Sequence, residues 1–230
     1  MTELELLSRV RELRERGRSP KEIARGLGVP RSEVDSLVRA LAMARPKEDP
    51  PVAGCWISAR WSEGLGVAGH PDWPDTAACG SDQAGRVCVV AAWEQRYGRV
   101  SCCVYLVDPW CLGVKDVIGP RHMDSNKLAA FREECFAAFD HPPLRVPIEL
   151  AQHLVWGSVD YARSLGFEPH PDFDTAAAPL ARPSGPCALS FGRDGRPCYT
   201  DGPFDDVQRV VRTLAESVGE GNFDFTVTVA

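Results

Sequence analysis

The chain contains no run near the ~20 consecutive apolar residues that a membrane-spanning helix needs. Its opening residues, Met1-Thr-Glu-Leu-Glu-Leu-Leu7, do not have the basic-then-apolar layout of a secretory leader. From these two absences we expect a cytoplasmic protein with no membrane partner. There is no Cys-x-x-Cys pair, which argues against a zinc ribbon or a thioredoxin-type redox site. Gly-x-Ser-x-Gly and His-Glu-x-x-His are also absent, and with them the commonest sequence marks of serine hydrolases and zinc peptidases. Gly64-Leu-Gly-Val-Ala-Gly69 has the glycine spacing of a dinucleotide-binding turn, but no strand pattern precedes it and no long amphipathic helix follows.

What is present is ordinary globular composition. Apolar residues make up 44% and charged residues 25% of 230, which excludes disordered and fibrous classes and leaves room for one larger domain and a small module. The nine cysteines are an odd count in a chain too large to need a disulfide framework, so they are expected to be reduced and packed as small apolar groups. No metal site and no cofactor follows from their spacing. Charge divides unevenly: residues 1–50 hold 11 basic and 9 acidic side chains, net +2, whereas the remainder is net −8. Contact with a polyanion would therefore fall to a local patch in the first 50 residues.

That segment reads as three helices. Leu6, Leu7, Val10 and Leu13 form one stripe of a first helix that Gly17 ends. Ser19, Pro20 and Glu22 are the capping box and first-position proline of a second helix, with Ile23, Ala24 and Leu27 facing inward. Gly28 supplies a turn, and Pro30 opens a third helix with Val34, Leu37, Val38 and Leu41 inside. Ser19 to Leu41 resembles the helix-turn-helix units of bacterial regulators and of the promoter-reading end of sigma factors: Ala24, Gly28 and Val34 have the spacing of that unit. The resemblance implies that the third helix enters the DNA major groove, with Arg31, Ser32, Ser36 and Arg39 at bases or phosphates and Lys21 near the backbone. Glu33 and Asp35, set among these residues, work against phosphate contact. A protein-docking or dimerising role for the same module stays open.

We place the module at 1–43, a Pro- and charge-rich linker at 44–52, and a larger domain at 53–230. Residues 51–84 have no sustained period and read as irregular cover. Val87–Trp93 and Val100–Val107 read as a hairpin around Gly98. Helices are expected from Asn126 to Phe139, with Asp124 and Ser125 as caps, from Pro147 to about Leu165, and from Pro203 to Val218. A second hairpin is expected for Ala188–Phe191 and Pro197–Thr200 around Asp194-Gly195, and a half-buried last strand for Phe223–Val229. Together these predict an α+β domain on a mostly antiparallel sheet, following the three-helix module. Tyr105–Asp116, Gly166–Phe173 and Phe191–Tyr199 resemble stretches of bacterial proteins of unknown function, which implies a shared fold over 85–229 and no particular activity.

Three constellations bear on chemistry. Cys111 with Lys115, served by His153 and Asp160, would suit a small cysteine- or histidine-dependent hydrolase or transferase. Glu149, His153 and Asp160 share a helix face that reads as solvated. His70-Pro-Asp-Trp-Pro-Asp-Thr-Ala-Ala78 echoes His170-Pro-Asp-Phe-Asp-Thr-Ala-Ala177, two turns in which Asp75 and Asp174 would act as caps. The leading expectation is a transcription-associated DNA-binding protein whose larger domain senses, docks or dimerises. Its partners would be DNA through residues 19–41, a protein, or a second copy of the chain.

Overall fold

The computed structural model describes residues 3–44, 50–70, 72–75 and 85–227. The chain divides into two compact units, Met1–Asp49 and Pro50–Ala230, the division falling inside 44–52; residues 45–49 of that expected linker lie outside the described residues.

In the first unit, α1 (Glu3–Glu15), α2 (Pro20–Leu27) and α3 (Arg31–Ala44) enclose Leu6, Val10, Ile23, Ala24 and Val34, with Leu13, Leu27, Leu37, Val38 and Leu41 packed around them. The expected capping box is present: the Ser19 side chain accepts from the Glu22 amide, and the Glu22 carboxylate accepts from the Ser19 amide at 2.8 Å. Gly28 closes α2 with φ 66°, a left-handed conformation that an L side chain adopts at a cost, and donates its N–H to Ala24.

The second unit is built on a five-stranded sheet with the order β5-β4-β3-β1-β6. Its strands are β1 (Val52–Ile57), β3 (Val87–Gln95), β4 (Arg99–Asp108), β5 (Gly113–Asp124) and β6 (Leu144–Arg145), and every neighbouring pair is antiparallel. The expected hairpin is the β3–β4 pair, in register from Val87 opposite Val107 to Gln95 opposite Arg99.

Helices cover both faces of the sheet. On one, Cys55, Ile57, Val89, Ala91, Cys103 and Tyr105 meet Leu150, Leu154 and Val155 of α5 (Ile148–Ser164) and Phe173 of α6 (Phe173–Ala177). On the other, Cys88, Val90, Ala92, Cys102 and Val104 meet Phe131 and Phe136 of α4 (Leu128–Phe136). This explains why Val87–Trp93 is a continuous apolar run without alternation: every residue in it is buried. Gly113, at φ 71°, lets β5 approach α5, because a Cβ there would stand 2.8 Å from that of Ala162.

Several expectations are corrected. Residues 51–84 are not all irregular cover: β1 lies inside the sheet between β3 and β6, and its Gly54 and short length hide the strand pattern. Residues 113–124, for which the sequence pattern predicts no element, form the twelve-residue edge strand β5. The second hairpin does not form. Instead β7 (Leu189–Ser190) pairs with β2 (Gly66–Val67), and β8 (Cys198–Thr200) runs parallel to β9 (Asp224–Thr226), although the Asp194-Gly195 turn does take positive φ at both residues. The last strand is exposed along Asp224–Thr226, with residues 228–230 outside the described residues. Asp124 precedes α4 through a short 3-10 turn and makes no side-chain cap bond. The third expected helix is α7 (Val207–Val218), capped by Asp206, whose side chain accepts from the Arg209 amide. It packs Val210 and Leu214 with Cys111, Leu165 and Tyr199.

Tyr105 joins sheet to helix layer, its buried hydroxyl donating to the Ala176 carbonyl at 2.6 Å. Tyr105→Phe leaves that oxygen without its donor and should destabilise the second unit by about 1–3 kcal/mol. All six tryptophans lie beyond residue 50, so denaturant unfolding followed by tryptophan fluorescence reads this unit alone. An unchanged midpoint would mean that another donor replaces the phenol.

Candidate functional site

The outward face of α3 is set by its inward one. With Val34 buried and Leu37, Val38 and Leu41 packed on the same core, the 100° step per residue turns Ser32, Ser36 and Arg39 away from it, while Arg31, one turn before Val34, stands at the flank as the first residue of the helix; all four are exposed. Lys21 is exposed in the first turn of α2. The five residues expected to contact DNA are therefore all accessible within one unit.

Their immediate partners are local. Arg31 Nε lies 3.5 Å from Asp35 Oδ2, Arg39 Nε donates to the Asp35 carbonyl at 3.3 Å, and the Ser36 hydroxyl donates to the Ser32 carbonyl at 2.9 Å. The Arg31–Asp35 pair is largely solvated, at 67% and 38% side-chain exposure, so it holds Arg31 weakly and a phosphate can compete for it. Both carboxylates of α3, Glu33 and Asp35, fall within its first five residues, where they favour the positive end of the helix. On the preceding helix, backbone and side-chain hydrogen bonds from Ser19 hold the Glu22 carboxyl below its usual range, so that charge is committed to capping.

The structure does not assemble the catalytic set considered from sequence. Cys111 packs with Leu165 and Tyr199, and with Tyr161 beside them, at the C-terminal end of α5. His153 sits eight residues before Tyr161 on that helix, a separation of about 12 Å along its axis. Burial and the neighbouring Asp108 charge push the Cys111 thiol up, opposite to what a nucleophile requires. Burial also raises the thiols of Cys55, Cys88 and Cys102, to about 12.

His153 is not on a solvated face either. It is buried, its Nδ1 accepts from the Ala188 amide at 3.2 Å, and its ring lies 5.7 Å from Trp73, which stacks on His70 at 4.1 Å. The sequence pattern missed this because the segment carrying Ala188 closes over α5 from more than 30 residues downstream. Asp160 is bound by both Arg182 guanidinium nitrogens, at 2.7 and 3.0 Å. Among the described residues no group of three or more His, Cys, Asp or Glu is placed to hold a metal ion.

The two echoed segments share a turn and not a site. The Trp73 amide donates to the His70 carbonyl and the Phe173 amide to the His170 carbonyl, each burying the aromatic residue. Asp75 accepts from the Arg60 and Ser62 amides and from the Ser62 hydroxyl, so it braces the loop at 60–62; the turn it was expected to cap lies outside the described residues. Asp172, not Asp174, occupies the residue before α6, without a side-chain cap bond. Residues 76–78 lie outside the described residues.

A polar group unforeseen from sequence joins the C-terminal segment to the sheet. Asp205 Oδ2 receives Lys115 Nζ at 2.6 Å, the Gly202 amide at 2.8 Å and the Tyr199 hydroxyl at 3.3 Å. Lys115 is a residue of β5, and both charges are some 85% buried, so each needs the other. Nearby, Asp108 accepts from the Trp110 and Cys111 amides, both on Oδ1. These contacts make Lys115 and Asp108 structural supports.

Burial pushes the Asp108 carboxyl up from 3.8 to about 6, against the lowering effect of its amide donors and Lys115. The native carboxyl thus keeps its proton to about pH 6, while the unfolded one keeps it only to 3.8. This group's contribution to stability is present below pH 3.8 and is lost as pH rises through about 6. Asp108→Asn retains the oxygen that accepts both amides and should flatten that component of the stability–pH curve between pH 4 and 6, a difference on the order of 3 kcal/mol across the window. Urea unfolding at a series of pH values checks it; parallel curves for the two proteins would overturn it. His153 behaves in the opposite sense. Burial, assisted by the His70 charge and opposed by that of Glu149, lowers its pKa below 6.5, so its contribution is present above 6.5 and falls as pH drops through the lowered value. Its imidazole resonances should titrate below the ordinary histidine range.

The chain matches no known protein family, no curated protein and no solved structure, so its own residues and their geometry are what speak for its function.

Proposed function

We propose that the N-terminal unit binds duplex DNA, α2 and α3 acting as a helix-turn-helix with the start of α3 entering the major groove. The observation that carries this reading is the exposure of Ser32, Ser36 and Arg39 on one outward face of α3 and of Arg31 at its start, with Lys21 exposed on the helix before them. Arg31 and Ser32 occupy the first turn of α3, where side chains of a groove-inserted helix reach base edges. Arg39 lies two turns further along, placed for a phosphate. The charge division supports the same assignment: a unit of net +2 approaches phosphates while the remaining net −8 is repelled, so association is local and dependent on salt. In this reading the larger unit regulates, docks or dimerises.

A second reading has one specific observation in its favour. The Arg31–Asp35 pair gives this face charges of both signs, which suits a protein surface of mixed charge as well as a phosphate backbone.

Fluorescence anisotropy of labelled duplex DNA against the full chain, over a salt series, separates the two. DNA binding gives an affinity that falls linearly in log–log form with salt, and Arg31→Ala/Arg39→Ala should lower the slope by roughly 1 for each phosphate that the variant no longer neutralises. No binding at low salt, or a slope unmoved by the double variant, would remove the DNA reading and leave the protein-docking one.

A further inference from the structure

We infer that the β3–β4 hairpin end of the larger unit carries an anion site, built on Arg96, Arg99 and His122, that takes the phosphate of a small nucleoside monophosphate. The site is independent of DNA binding by the N-terminal unit, so either can fail alone.

Strand register places the site on one face of the sheet. Gln95 of β3 stands opposite Arg99 of β4, and Arg99 opposite Asp124 of β5; one row inward, Trp93, Ser101 and His122 are aligned in the same way. Alternation along β4 puts Arg99 and Ser101 on the side of Cys103 and Tyr105, the side that α5 covers further along. At the hairpin end this cover stops: Gln95, Arg99, His122 and Asp124 are exposed, whereas Val100 and Met123 on the opposite side are buried with the residues of α4. An open depression of about 440 Å3 results, lined by Gln95, Arg96, Arg99 and His122.

The lining points to an anion. It holds two guanidinium groups and an imidazole and no carboxylate. Asp124, although opposite Arg99 in register, makes no ion pair with it, and the side chains of Arg96, Arg99 and His122 have no hydrogen-bond or ion-pair partner among the described residues. The donors therefore stand ready for an acceptor from outside. The remainder of the chain beyond residue 50 is net −8, which repels a long polyanion but leaves a local cluster able to hold a small one.

The arrangement of the donors selects the group. They come from the end of β3, the hairpin turn, β4 and β5, so they line the depression from several elements. A carboxylate is served by one guanidinium in its own plane, whereas a phosphate, with its terminal oxygens set tetrahedrally, makes use of separate donors. The volume falls within the ~300–1,000 Å3 of small-molecule sites, so the phosphate brings an organic body with it.

Tyr97 offers that body a partner. It lies at the hairpin tip between Arg96 and Arg99 in the chain, is 92% exposed, and holds φ 63°, a left-handed conformation that asparagine or glycine adopts at less cost. The ring buries almost none of its surface in the fold, so nothing within the protein repays the strain. An exposed aromatic face beside cations is the combination that holds a base and its phosphate.

The test titrates 15N-labelled full-length protein at about pH 8, where a phosphate monoester is a dianion. Adenosine monophosphate, inorganic phosphate, adenosine and acetate are added separately at constant ionic strength set with chloride. The expected result is a saturable shift of the Arg99 and His122 resonances with both phosphates, tighter for the nucleotide, with adenosine and acetate weaker than the nucleotide by about tenfold or more. Arg99→Gln should lower nucleotide affinity by about tenfold or more. Tyr97→Asn, which suits the left-handed turn, should bring the nucleotide down to the affinity of inorganic phosphate and leave the latter unchanged. Unchanged resonances away from the hairpin show that each variant is folded, and Arg96→Gln, in the exposed turn, replaces Arg99→Gln should that variant not fold. No saturable response to either phosphate, or one that both arginine variants leave intact, overturns the site. Equal affinity for the nucleotide and inorganic phosphate overturns the nucleoside assignment, and a short single-stranded oligonucleotide that moves the same resonances at lower concentration than the mononucleotide overturns it in favour of nucleic acid.

Discussion

The central β3–β4 pair is the constraint on which the larger unit depends. Its residues are buried on both faces, so the sheet cannot stand with one side in water and must recruit helices above and below. This demand places α5 and α6 on one side and α4 on the other. It also accounts for the cysteines: Cys55, Cys88, Cys102 and Cys103 fill positions where a larger side chain would part the layers, and burial keeps them as thiols. Polar devices tie the sheet to the segments around it. The Lys115–Asp205 pair attaches the C-terminal segment to β5, and the Tyr105 hydroxyl attaches α6 to β4. Such bonds add modest net energy but are costly to break singly, so they select one arrangement among many equally greasy ones.

The N-terminal unit follows another logic. Its core is small and its surface is rich in charge, with arginines answered by carboxylates three or four residues away, as in Arg9–Glu12, Arg16–Glu12 and Arg18–Glu22. Pairs of that kind keep short helices soluble and in place without binding their cations firmly. What sets α3 apart is that its outward cations stand among serines, groups that can donate and accept and so can read a polar edge of either kind.

Much of this was legible in the sequence where the signal is local. Ser19-Pro20 with Glu22, the left-handed Gly28, the β3–β4 hairpin and the apolar stripes of α5 and α7 all arise from residues within a few positions of one another, and each is found. The losses share a cause. β1 is recognised only by pairing with β3, whose residues lie more than 30 positions away; β8 finds β9 across α7; His153 looks solvated until the segment around Ala188 covers it. Periodicity carries no information about such partners. The outward residues of α3 were legible because the inward ones were, whereas Cys111 and His153 seemed combinable only because nothing local states how far apart on one helix two neighbours of it stand.

The pairing of β2 with β7 joins Gly66–Val67 to Leu189–Ser190, so the larger unit closes on itself through residues more than 120 positions apart. During synthesis the three-helix unit has its whole core, Leu6 to Leu41, available as soon as those residues leave the ribosome. The sheet's early strands, by contrast, must wait for most of the remaining chain before the α5 layer is sealed. Each nascent chain thus passes through a period in which the core of its first unit is complete while the sheet of its second still lacks the α5 layer.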